Sequence, residues 1–233
     1  MGHTSQSLTA IETAEPRHMR HIAPARADTS VFDFRARRAR YASCTAPSMG
    51  IVHEVSVAAG HAISGLHAGE KKLAAHKVAD GLAPSIEVRS VAFDADSPLP
   101  ISCTVDGVGA PPPLSFHGVP EAAKSLVVLC EDPDAPYPEP YVHWLVYGMP
   151  GVAEDLDAES QASYRAGQNS KLGIGYTPAA PPPGHGVHHY HFQIFALDRT
   201  VDLETGEGRT DVLEAMKSHV LAWGEIIGTY ERE

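Results

Sequence analysis

Three cysteines, Cys44, Cys103 and Cys130, are all that the 233 residues hold. An odd, sparse set makes a poor disulfide framework and fits a reducing compartment. Cys130 closes an apolar run and reads as a small buried hydrophobe. No apolar stretch approaches the roughly 18 residues needed to cross a bilayer, and no apolar segment follows the N-terminal charges as a secretory signal would. The expectation is a soluble, cytoplasmic protein without integral membrane association.

Positive charge is scarce as well. Lys and Arg number 18 against 29 Asp and Glu, a formal net charge of -11. That argues against nucleic acid as a partner, because such binding rests on neutralising phosphates with basic side chains. The charge is unevenly spread. Residues 1–48 carry seven arginines and four acids, net +3, so the remainder is net -14. This first stretch, rich in Ala, Arg, His, Ser and Thr with no sustained apolar period, reads as a disordered or weakly ordered extension. Other readings are an Arg-rich transit peptide, a basic docking arm, or a protein whose true start is Met49.

Residues 49–80 form a helical segment by their pattern. Val52, Val55, Ala59, Ala62 and Leu66 recur at helical spacing. Gly60 and Gly65 weaken the pattern, residues 67–70 break it, and Lys71 to His76 suit a second short turn. From 81 to 233 the character is mainly β. Runs at Ile86–Phe93, Ser125–Glu131, Tyr141–Met149 and Val187–Asp198 have strand length, and Ser125–Glu131 is apolar enough to be buried on both faces. Pro/Gly-rich loops separate them at 107–113, 133–140 and 178–186. The fold class is an antiparallel β-sandwich with peripheral α-helices. A C-terminal helix is expected from Leu213, Met216, Val220, Trp223 and Ile227, after an N-cap signal at Thr210 and Asp211.

Three segments place polar residues where chemistry is available. In Asp132-Pro133-Asp134-Ala135-Pro136, prolines flank Asp134 and fix φ, so two carboxylates sit in a rigid turn. An ordinary Asp-Pro turn is the plain alternative. In His143-Trp144 strand alternation puts the two rings on opposite faces, and a lone strand histidine is more often a core residue than a ligand. In the loop and strand from Pro181 to Tyr190, His188 and Tyr190 share one face while His189 and His191 share the other. The second pair reads as part of a surface strand.

These segments, in this order, resemble the phosphatidylethanolamine-binding protein family and its bacterial Raf-kinase-inhibitor-like subgroup. The resemblance runs from about Ile86 to Arg232. It is carried by DPDAP at 132–136, HW at 143–144, a Pro-rich loop ending in H-x-Y at 188–190, and ALD at 196–198. Thr104-Val105-Asp106-Gly107 with Pro112-Pro113-Leu114, Gly118-Val119-Pro120, Gly167–Ser170 with Gly175-Tyr176, and the stretch from Leu221 to Arg232 extend it. Departures are Val105 for a common Cys, Phe116 for Trp, His189 for Arg, and Ala179-Ala180 for Pro-Cys. The change at His189 removes a permanent positive charge from the pocket edge.

The resemblance implies a non-enzymatic protein that binds phosphate, phosphoethanolamine-like head groups or similar anions and regulates a kinase or other signalling partner. The ligand site it implies comprises Asp132, Asp134, His143, Pro181, Pro182, His188 and Tyr190, with no cofactor and no metal, and bacterial relatives suggest a homodimer. Two aspartates beside an anion repel it, so one must pair with an imidazole, favouring the cation and leaving a ring N–H for the ligand. Tyr190 would add its hydroxyl and the loop its amides. Two rival readings are an interaction module whose pocket acts as a switch, and a metal-dependent hydrolase using His143, His188 and an Asp. No Cys-x-x-Cys pair and no Gly-x-Ser-x-Gly elbow supports an enzyme.

Overall fold

The structure is a computed structural model and describes residues 49–233; the N-terminal extension read from the sequence lies outside the described residues. The elements in chain order are α1 (Met49–Ile63), α2 (Ala74–Val78), β1 (Glu87–Arg89), β2 (Ser97–Pro98), β3 (Leu114–His117), β4 (Ser125–Asp132), β5 (Tyr141–Pro150), β6 (Asp155–Leu156), β7 (Arg165–Ala166), β8 (His188–Leu197), α3 (Arg209–Met216) and β9 (Val220–Tyr230). Among the described residues no helix is long and apolar enough to cross a membrane.

A six-stranded sheet runs β2-β9-β8-β4-β5-β7, and a three-stranded sheet runs β1-β3-β6. All pairings are antiparallel except β2 with β9. Every residue of β4 is buried, as its continuous apolar run demands, because the large sheet is covered on both faces. On one face Leu126, Val128 and Cys130 pack with Trp144, Phe192, Val88 and Phe116 between the sheets. On the other, Val127 and Leu129 pack with Ala74, Ala75, Val212 and Met216 of the helices. Each such Val or Leu side chain contributes about 1.5–3 kcal/mol by leaving water.

The helical face is stitched to the sheet by one buried carboxylate. Glu131 accepts hydrogen bonds from the Arg209 guanidinium, from Gln193 Nε2 at 2.8 Å and from the Ala74 N–H at 2.7 Å. A buried charge is tolerated where it is paired and saturated in this way.

The C-terminal expectation needs correction. The helix is there but stops at Met216, and Val220–Tyr230 is a strand paired with β8 along its length. Ala222, Gly224, Ile226 and Gly228 alternate on its buried side. Two of those positions are glycine because the neighbouring chain is too close: a Cβ on Gly224 would lie 1.9 Å from the Ile86 carbonyl oxygen. With no side chains to mark the inner face, the period of two was hidden, and the larger residues fell by chance at helical spacing. The short strands β2, β3, β6 and β7 were likewise unmarked, having too few residues to show a period.

Candidate functional site

Five segments meet at one end of the large sheet. β4 ends in Asp132, whose Oδ1 accepts the N–H groups of Asp134 at 2.9 Å and Ala135 at 3.0 Å. The rigid turn expected from the flanking prolines is thus closed by the first aspartate's own side chain. The second carboxylate points elsewhere. Asp134 Oδ2 accepts the His189 backbone N–H at 2.9 Å and faces His189 Nδ1 at 2.7 Å. It sits outside the pocket wall, bound to the residue that replaces the usual arginine.

His143 reaches the site through a β-bulge. Cys130 pairs with Trp144 and Glu131 pairs with Val142, which leaves His143 as an extra residue on β5. Strict alternation is broken there, and the expectation that His143 and Trp144 face opposite ways is overturned. Trp144 lies in the core between the sheets, and the His143 ring stands edge-on to Tyr190 of that same core, centroids 5.0 Å apart. Tyr141, two residues earlier, packs against the imidazole with its ring tilted, centroids 4.9 Å apart. The Thr177 carbonyl accepts from His143 Nδ1 at 2.8 Å, which leaves Nε2 free and 4.0 Å from Asp132 Oδ2. Burial pushes the His143 imidazole below its usual range; Asp132 opposes this but does not cancel it.

His188, the first residue of β8, is 1% exposed. Its Nδ1 lies 2.7 Å from Asp132 Oδ2, the aspartate–imidazole pairing inferred above, and its Nε2 lies 2.7 Å from His185 Nδ1. His185 was missed at the sequence level as a site residue. The clue was its place three residues before His188 in a loop held by three prolines. Tyr190 shares the face of His188 as expected, but it lies beneath the pocket rather than in its wall. Its hydroxyl is buried with no hydrogen-bond partner, and burial, followed by the charge of Asp132, raises its pKa far above the ordinary phenol range. His191 also differs from expectation. It is buried rather than on the surface, with Nδ1 3.0 Å from Glu225 Oε2.

A cavity of about 260 Å³ opens above these groups. Asp132, His143 and His188 form its base, Tyr137 and Tyr141 one side, and Pro181 and Pro182 the other, with Lys171 at the edge. Lys171 is placed by Asn169, whose Oδ1 accepts the N–H groups of Lys171 at 3.0 Å and Gly173 at 3.1 Å. The proline loop is pinned from outside by Val105 N–H to Ala179 O at 2.9 Å. Asp106, in the same turn, takes the Tyr230 hydroxyl at 2.7 Å and Arg232 Nε at 3.0 Å, so this motif residue ties down the C-terminus and stays outside the pocket.

The arrangement offers a ring nitrogen and an imidazole–carboxylate pair around a small space lined by tyrosines, with the exposed Lys171 among the lining residues. It does not offer a three-ligand metal site. Both nitrogens of His188 and one of His143 are already engaged, and among the described residues no group of three His, Cys, Asp or Glu is arranged to hold a metal ion.

Comparison with known proteins gives a consistent picture. The family model described as phosphatidylethanolamine-binding protein matches residues 89–231. A UPF0098 protein of Pyrococcus abyssi is 38% identical over 155 residues, 64% of this chain and 86% of the relative. A UPF0098 protein of Chlamydia trachomatis is 39% identical over 152 residues, 64% of this chain and 100% of the relative. Among solved structures, a phosphatidylethanolamine-binding protein homologue from Chlamydia trachomatis superposes with a TM-score of 0.60 at 38% identity, covering 65% of this chain and all of that one. Escherichia coli YbcL gives 0.60 at 26% identity, covering 64% and 99%.

Proposed function

The chain belongs to the phosphatidylethanolamine-binding protein family, and from that premise we propose that it binds a small phosphorylated or otherwise anionic ligand in the cavity above Asp132, without catalysing a reaction on it. The observation that carries this reading is the pairing of His188 Nδ1 with Asp132 Oδ2 at 2.7 Å at the cavity base. A bare carboxylate there would repel an anion; the imidazole occupies that carboxylate oxygen, and a protonated ring offsets its charge.

The ligand's other partners follow from the geometry. His143 Nε2 faces the cavity with no hydrogen-bond partner of its own. It becomes a donor when the ring is protonated, and Lys171 supplies a permanent cation at the edge. Charge-assisted hydrogen bonds are worth about 1.5–3 kcal/mol each. Two or three of them correspond to affinities of about micromolar to millimolar, fit for a head group or a free phosphate.

The test is calorimetric titration of the full chain with phosphoethanolamine, beside a Lys171→Met variant. Saturable binding weakened about tenfold or more in the variant supports the reading. Equal affinity in the two proteins would place any binding elsewhere.

A further inference from the structure

α1 precedes the part of the chain that matches the family model. The family match begins at residue 89, and a relative covered over 100% of its own length takes up only 64% of this chain. The helix lies directly on the loops that wall the pocket. A Cβ on Gly60 would stand 1.9 Å from the Pro183 carbonyl oxygen, and one on Gly184 would stand 2.7 Å from that of Val57. Backbone meets backbone at both places. Just beyond the helix, the Gly69 N–H donates to Pro133 O at 3.0 Å, in the turn that carries Asp132 and Asp134. At the helix's last residue, the Ile63 carbonyl lies 3.0 Å from His185 Nε2.

That last contact fixes a proton count. A carbonyl only accepts, so His185 Nε2 carries a hydrogen. The contact from His185 Nδ1 to His188 Nε2, 2.7 Å, holds one hydrogen, and so does the contact from His188 Nδ1 to Asp132 Oδ2, also 2.7 Å. Three contacts in series therefore need three protons. Two neutral imidazoles supply only two. With three protons the trio of Asp132, His188 and His185 would carry no net charge, where an ionised aspartate with two neutral rings would carry one negative charge.

If the Ile63 carbonyl withdraws, the requirement drops. His185 then takes the other tautomer and donates from Nδ1 to His188, which donates from its own Nδ1 to Asp132. Two contacts are satisfied with two protons. We propose that α1 is a strap whose docking takes up one proton into the pocket, and that His185 is the positioning residue that transmits it. The other titratable groups facing this chain are His143 from β5, with Nε2 4.0 Å from Asp132 Oδ2, Tyr190 of β8 and Cys130 of β4, on both of which the charge of Asp132 acts, Lys171 in the cavity lining, and His61 from α1 beside Gly184. The next charged pair, Asp134 with His189, is closed on itself. Docking thus weakens as pH rises, because the docked state binds the extra proton. The proposal deepens the ligand-binding reading and rests on it for one consequence. An uncharged trio admits an anion that a negative one repels, so strap docking and anion binding favour each other reciprocally.

The experiment uses the full chain without ligand. Ring nitrogen shifts of His185 and His188 and the carboxyl carbon shift of Asp132, read by NMR at neutral pH, count the protons. Amide exchange of α1, corrected for intrinsic rates, is followed across the pH range. Three protons are expected, with α1 protection falling by up to about tenfold per pH unit as the third is lost. In His185→Phe the pH dependence of that protection should vanish. In His185→Gln it should persist, because the amide can donate to Ile63 and accept from His188. Two protons with α1 still protected, or an unchanged pH slope in His185→Phe, would overturn the strap. The count in the unsubstituted protein needs no variant to fold. Inorganic phosphate is added separately: three protons with no phosphate effect on α1 would leave the strap standing and remove the ligand reading instead.

Discussion

His143 and Trp144 are neighbours in β5 and face the same side of the sheet. The bulge that makes this so leaves Trp144 in the core and swings His143 to the pocket base, where its Nδ1 is tied to Thr177 O at 2.8 Å. His143→Phe should keep the ring packing against Tyr141 and Tyr190 while leaving the Thr177 carbonyl unpaired. The expected cost is about 1–3 kcal/mol in urea unfolding, with phosphate binding lost. A variant as stable as the parent that still bound phosphate would show that the ring does nothing beyond packing.

Ligand affinity should depend on pH with a definite sign. Burial holds the free His143 imidazole below its usual range, so without ligand the ring protonates only at pH values below about 6.5. An anion seated against Nε2 favours the protonated form, so binding takes up a proton there. Sulfate or sulfonate ligands, whose charge is constant in this range, should therefore bind more tightly as pH falls through that region. The same shift acts on stability in the other direction. The unfolded state binds the proton more readily than the folded one, so His143 costs stability as pH falls below about 6.5, and His143→Phe should remove that part of the acid sensitivity.

Glu131 and Arg209 make a stability prediction far from the pocket. Arg209→Met leaves the Glu131 carboxylate buried with only Gln193 and the Ala74 N–H as partners. A loss of about 3–5 kcal/mol is expected, and the double variant Glu131→Gln with Arg209→Met should recover much of it. If the single variant loses under 1 kcal/mol in chemical denaturation, on the scale of an exposed pair, the buried-charge reading is wrong.

Gly224→Ala should destabilise the protein by about 1–3 kcal/mol, because the new methyl meets backbone at Ile86 rather than a movable side chain. An Ala exposed on a strand would do nothing of the kind. Thermal unfolding of this variant beside one at an outward-facing position of β9, such as Thr229→Ala, makes the comparison.

Much of the fold could be read from the chain itself. β4, β5 and β8 are long and apolar, so their pattern is strong and their positions were anticipated within a residue or two. β9 was hidden because its inner face is half glycine. In the site, the pairing of one aspartate with an imidazole followed from charge reasoning, without saying which two residues, and His188 with Tyr190 from the period of two. The bulge at His143 left no mark in the sequence, since a register shift is decided by two strands together. Tyr190 was expected at the ligand, and its hydroxyl proved buried below the cavity. His185 went unrecognised because its partner, the Ile63 carbonyl, belongs to a backbone 122 residues away.

The most direct test of the central claim is an NMR titration of the full chain with inorganic phosphate and phosphoethanolamine, observing the imidazoles of His143 and His188. Saturable shifts of both rings, with His189 and His219 unmoved, are the expected result and would place the anion above Asp132. Shifts confined to exposed histidines, or none at all at millimolar ligand, would contradict an anion site in this pocket.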